Sequence, residues 1–179
     1  MKSSEANPTD ELRFNTTPNV LTLVRILFVP FVVALLFMRT PFWDIMAAAV
    51  FGLASITDYF DGYLARTRKE ITIYGKLLDP LADKFLVVSS LIALQELGRI
   101  HPIVVMLLVC REIAITGLRA LASAEGVIIP ASGSAKWKTA FQMIAIPFLM
   151  IDQQPLGLPF FKIGTVLIDL SLTMSLWSA

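Results

Sequence analysis

The chain has 179 residues, 56% of them hydrophobic and only 16% charged, with a mean hydropathy of +0.72. Soluble domains carry about 25% charged residues, so this is the composition of one integral membrane domain with room for several spans and little else. The net charge of +1 says nothing about nucleic acid and no basic-aromatic stretch suggests it, the single Cys110 excludes a disulfide within the chain, and the single His101, just before a proline in a loop, gives histidine catalysis little support.

The first 15 residues carry Lys2, Glu5, Asp10, Glu11 and Arg13 and lack the basic start and immediate apolar core of a cleavable signal. Residues 1–16 are expected to form a cytoplasmic tail, with a short interfacial helix near residues 12–14. Residues 17–179 are expected to form an all-α domain. Its six apolar centres fall at 20–38, 42–63, 73–94, 102–122, 135–151 and 158–177. Turn residues separate them at 97–102, 126–133 and 153–159, and Pro30 and Pro147 should kink the helices that contain them.

The uncharged cores, such as 26–38, 45–57 and 139–151, are shorter than the roughly 20 residues a span needs. The placement of charge answers that objection. If six helices alternate from a cytoplasmic N-terminus, the cytoplasmic flanks carry Lys2, Arg13, Arg66, Arg68, Lys69, Arg119, Lys136 and Lys138. The opposite flanks carry only Arg39, Arg99 and Lys162. This asymmetry fits six spans with both termini in the cytoplasm. It also brings Arg25, Asp58, Asp61, Asp79, Asp83, Arg111, Glu112, Arg119, Lys136, Lys138 and Gln142 toward one cytoplasm-facing cavity, while the outer halves are expected to stay apolar. Asp169 has no role in this arrangement.

The densest chemistry runs from Asp58 to Asp83, which reads D-Y-F-D-G-Y-L-A-R, then eight residues, then G-K-L-L-D-P-L-A-D. On helices, Asp58 and Asp61 share one face, and Gly75, Asp79 and Asp83 align by fours on another. Two antiparallel helices joined by a basic turn at residues 66–69 would bring four carboxylates together. Such a cluster stays ionised in apolar surroundings only when cations neutralise it. Its hard oxygen donors select Mg²⁺ or Mn²⁺ ahead of Ca²⁺, and two ions bridged by shared carboxylates suit phosphoryl transfer. Gly62 and Ala65 leave space for a ligand, and Arg66 offers a fork for a diphosphate. The opposing reading, buried ion pairs with Arg25, Lys76, Lys84 and Arg111, does not account for the ordered spacing. Lys76 and Lys84 themselves read as pairing or snorkelling residues. Across from the aspartates, Arg111, Arg119, Lys136 and Lys138 form a basic pocket suited to an anionic acceptor.

D-x2-D-G-x2-A-R-x8-G-x3-D-x3-D is the signature of the CDP-alcohol phosphotransferase family, and Asp58, Asp61, Gly62, Ala65, Arg66, Gly75, Asp79 and Asp83 match every position. P-N-V-L-T-L-V-R, R-E-I-A-I-T-G-L-R and K-W-K-T-A-F-Q resemble the bacterial branch of that family that makes phosphatidylglycerophosphate. Ala135 departs from it where glycine is expected. The resemblance implies a six-helix fold, commonly dimeric, in the bacterial cytoplasmic membrane, with a two-metal site facing the cytoplasm. It implies Asp58, Asp61, Asp79 and Asp83 as metal ligands and Asp83 also as general base. Gly62, Ala65, Arg66, Thr72 and Gly75, with Asn19 and Thr22, would serve the CDP-lipid. The implied substrates are CDP-diacylglycerol and sn-glycerol 3-phosphate, the second held by Arg111, Arg119, Lys136 and Lys138. The alternatives are another acceptor such as inositol phosphate, or, in a different class, a divalent-cation transporter. A transporter would need acidic residues across the whole span. A membrane prenyltransferase would also pair aspartates with a diphosphate, but its motifs have no place for A-R-x8-G.

Overall fold

A computed structural model describes residues 17–68, 73–125, 133–152 and 157–177. The tail before Thr17, Thr72, and the expected connection at 126–132 lie outside the described residues. Within the helices, so do the side chains of residues 17–25, 58–68, 73–83, 120, 123–124 and 133–136.

Among the described residues the fold is six helices and no strand: α1 (Thr17–Phe37), α2 (Pro41–Arg68), α3 (Ile73–Glu96), α4 (Pro102–Ala124), α5 (Gly133–Met150) and α6 (Phe160–Trp177). They fall where the apolar centres place them, with one difference that bears on function. α2 continues through Arg68, so Arg66 and Arg68 are helical and do not form a basic turn. The run L-A-R-T-R holds no proline or second glycine to stop the helix, and Gly62 alone costs only about 1 kcal/mol.

Local chemistry sets the ends. Pro41 and Pro102 open α2 and α4, where a missing N–H costs nothing. The His101 imidazole Nδ1 accepts the Ile103 N–H at 3.3 Å, a loop and capping role. Gly98 at φ 72° reverses the chain after α3, and the Arg99 N–H then reaches the Leu94 carbonyl at 2.8 Å, a Schellman-type stop.

The helices form a ring in the order α1, α2, α5, α6, α4, α3, with α3 also meeting α5 across the middle. α2 and α3, which carry the motif, therefore share α1 and α5 as neighbours. Four residues link α2 to α3, a reach of at most about 18 Å between flanking Cα atoms. The motif's two halves are thus tied to one end of the bundle. The core is built on Phe51, Leu86, Leu94, Ile146 and Leu149.

The surface of the described residues is unlike that of a soluble protein. Lys138, Gln142, Ser171 and Asp44 are buried, whereas Leu27, Leu53, Ile113 and Leu121 are more than 60% exposed. An apolar exterior of this extent needs a lipid solvent, and α6 by itself is long and apolar enough to cross a membrane. The expectation of apolar outer halves needs correction. At the end of α2 remote from the motif, Asp44 is buried against Arg99, with Arg99 Nη2 donating to Asp44 Oδ2 at 2.7 Å. Two residues 55 apart in sequence satisfy each other there, which no single segment reveals.

α5 and α6 pack most extensively. A methyl group on Gly164 would stand 2.8 Å from Leu149 Cγ and 3.0 Å from the Leu149 backbone nitrogen, so only glycine allows this approach. Gly164→Ala should lower stability by about 1–3 kcal/mol. Thermal unfolding in detergent measures this, and an unchanged midpoint contradicts the packing described.

Candidate active site

Asp58 and Asp61 lie on the continuous helix α2, three residues apart, and Asp79 and Asp83 on α3, four apart. The backbone thus provides the helical register that places each pair on one face. The side chains of all four lie outside the described residues, as do those of Asn19, Thr22, Arg25, Gly62, Ala65, Arg66, Gly75 and Lys136. No group of three His, Cys, Asp or Glu side chains gathers elsewhere among the described residues. Four carboxylates are a donor set that fits hard divalent cations.

The described part of the site begins at the next residue. Lys84 follows Asp83 on α3 and points into a cavity of about 40 Å³ between α3, α4 and α5. Glu112 of α4 and Lys138 of α5 complete its polar wall, with Thr139 and Gln142 alongside and Val87, Leu91 and Leu108 as its apolar side. Such a space exceeds what one water needs.

Glu112 is the hub. Its carboxylate accepts a hydrogen bond from Lys138 Nζ and lies 3.8 Å from Lys84 Nζ and 3.6 Å from Arg111 Nη1. Lys84 also donates to Thr116 Oγ1, and that hydroxyl donates back to the Glu112 carbonyl at 2.7 Å. The Lys138 side chain is only 3% exposed, and an ammonium so deeply placed requires a carboxylate. Cations from three helices are therefore held by one anion.

α6 braces this cluster from outside. Ser171 Oγ donates to the Lys138 carbonyl at 3.1 Å, and Arg111 Nε donates to the Ser175 carbonyl at 3.1 Å. A guanidinium at the last carbonyls of a helix also complements its dipole.

Of the four expected acceptor residues, Arg111 and Lys138 meet around Glu112. Arg119 is half-buried and forms no ion pair among the described residues. Eight residues after Arg111 on the same helix, it stands about 12 Å further along and about 80° around. The sequence puts Glu112 near the cavity without a role, and Lys84 reads there as a pairing or snorkelling residue. An intramembrane carboxylate with no assigned partner was the available signal.

The CDP-alcohol phosphatidyltransferase family model matches residues 15–177. A CDP-diacylglycerol–glycerol-3-phosphate 3-phosphatidyltransferase of Rickettsia bellii is 39% identical over 137 residues, covering 76% of each chain. The protein of the same name from Bacillus subtilis is 34% identical over 174 residues, covering 89% of this chain and 87% of its own. A probable phosphatidylglycerophosphate synthase of Mycobacterium tuberculosis is 39% identical over 142 residues, covering 78% of this chain and 68% of its own. Proteins of this family are membrane-embedded and generally use divalent metal ions. With the motif complete and almost the whole chain matched, the chain belongs to the CDP-alcohol phosphatidyltransferase family.

Proposed function

We infer that the chain transfers the phosphatidyl group of CDP-diacylglycerol to sn-glycerol 3-phosphate, giving phosphatidylglycerophosphate and CMP. The relatives that cover most of the chain carry that activity in their names. The observation that carries the choice of acceptor is the cavity beside Asp83, whose wall sets the Lys84 and Lys138 ammonium groups against the single carboxylate of Glu112. A phosphate-bearing acceptor matches that excess of positive charge, whereas serine or another neutral acceptor leaves it uncompensated.

In the reaction, the 1-hydroxyl oxygen of the acceptor bonds to the phosphorus next to diacylglycerol as the phosphoanhydride bond to CMP breaks. Asp83 takes the hydroxyl proton as general base, and CMP leaves as an anion. Two divalent ions, Mg²⁺ or Mn²⁺, held by Asp58, Asp61, Asp79 and Asp83, supply positive charge at the diphosphate when bound. Asn19, Thr22, Gly62, Ala65, Arg66, Thr72 and Gly75 bind the CDP-lipid. Lys138 and Arg111, with Lys84 and under the control of Glu112, orient the acceptor phosphate; Arg119 and Lys136 guide it from the bundle mouth. The enzyme spans the bacterial cytoplasmic membrane six times as a homodimer, with both termini and the site facing the cytoplasm. The lysine and arginine asymmetry of the flanks supports that orientation.

Release of CMP from CDP-diacylglycerol against a panel of acceptors tests the reaction. Turnover should require sn-glycerol 3-phosphate, and equal turnover with inositol phosphate or serine contradicts the reading. Asp83→Asn should abolish turnover while leaving folding and CDP-lipid binding largely intact, and near-normal turnover removes its role as base. EDTA should silence the enzyme and Mg²⁺ or Mn²⁺ restore it, so activity that persists without metal excludes the two-ion site. Glu112→Gln should raise the KM for sn-glycerol 3-phosphate roughly tenfold, the equivalent of 1.4 kcal/mol, with the KM for CDP-diacylglycerol little changed. Equal changes in both constants argue against a role at the acceptor.

A further inference from the structure

A second polar cavity lies at the opposite end of the bundle. Asp44 precedes Asp58 by 14 residues on the same helix, which puts it about 21 Å from the motif. The cavity has a volume of about 230 Å³ and is lined by Arg39, Pro41, Asp44, Leu97, Arg99 and Asp152. Nothing in the phosphatidyl transfer uses these residues.

Its charges are unevenly satisfied. Arg99 donates from Nη2 to Asp44 Oδ2 and from Nη1 to the Met150 carbonyl. Asp44 is only 4% exposed, yet its second oxygen, Oδ1, has no hydrogen-bond partner. A buried carboxylate oxygen left in this state keeps the cost of its lost hydration. The side chains of Arg39 and Asp152 line the same space and form no ion pair among the described residues. The cavity therefore presents one buried carboxylate oxygen without a donor, Asp44 Oδ1, beside an exposed carboxylate, Asp152, and an exposed guanidinium, Arg39.

The geometry points to a binding site for a zwitterion that joins a phosphate to a primary ammonium, the chemistry of phosphoethanolamine; we propose that this headgroup occupies the cavity. Its ammonium donates to Asp44 Oδ1 and Asp152, and its phosphate meets the Arg39 guanidinium bidentately. A bare divalent cation faces two guanidinium groups here, and a simple anion faces two carboxylates, so neither fits the charge pattern. The surroundings place the cavity at headgroup depth. Phe42 and Trp43 stand between Pro41 and Asp44, both are exposed, and their rings meet edge-on at 5.2 Å, as in the aromatic belt of a membrane interface. Met38 and Phe42, 58% and 63% exposed, offer apolar surface beside the opening on which an acyl chain can lie.

Native mass spectrometry of the full chain, delipidated in detergent, tests the site. Phosphatidylethanolamine, phosphatidylcholine and phosphatidylglycerol with identical acyl chains are compared. Phosphatidylethanolamine should bind roughly tenfold more tightly, because a quaternary ammonium has no N–H for Asp44 and glycerol has no cation. The double variant Arg39→Gln, Asp152→Asn alters only exposed rim residues and avoids breaking the buried Asp44–Arg99 pair. It should lose the preference while retaining CMP release. Equal binding of the three lipids, or a preference that survives in the double variant, overturns the proposal. Soluble phosphoethanolamine distinguishes the source. Displacement of the lipid shows that the free zwitterion suffices, and intact selectivity without displacement shows that the headgroup is read only as part of a lipid.

Discussion

Much of the structure around the cavity between α3, α4 and α5 depends on one carboxylate. Glu112 is where α3, α4 and α5 meet in charge, and without it Lys138 is an ammonium almost sealed from solvent with no counter-ion. Burying such a group alone costs several kcal/mol. The cations therefore converge because an anion placed among apolar helices leaves them no better position. The same arrangement keeps two lysine ammonium groups on the wall of the space between α3, α4 and α5. Structural pairing and ligand attraction thus come from the same side chains, with one anion too few to cancel the cations of the wall.

The outer members of the ring serve this centre indirectly. α6 carries none of the motif, yet its Ser171 hydroxyl holds the backbone of Lys138 and the Ser175 carbonyl in its last turn takes Arg111. The close approach at Gly164 makes this possible, because it lets α6 lie flat enough on α5 for a short serine side chain to reach a carbonyl. In a lipid solvent, where helix faces gain little from hydrophobic association, close backbone contact and such hydrogen bonds are what fix one helix against another.

The sequence shows the helices and the motif because both are local. Apolar runs bounded by glycine and proline mark six elements, and eight motif positions fall within 26 residues. What it conceals is pairing across distance. Lys138 and Glu112 are 26 residues apart, and Arg99 and Asp44 are 55 apart; their relation exists only once the ring order is set. Arg111 and Arg119 are both cations on one apolar helix, and the eight residues of helical rotation between them show only in the structure. The end of α2 differs from the expected basic turn for another reason. A run of arginines resembles a turn in composition, while its residues are good helix formers. Asp169 remains exposed on α6, and its side chain has no described contact to explain it.

The imbalance of charge in this cavity sets what can enter it. Lys84 on α3 and Lys138 on α5 face one small space with only Glu112 to offset them, so a cation is repelled there and an anion is drawn in.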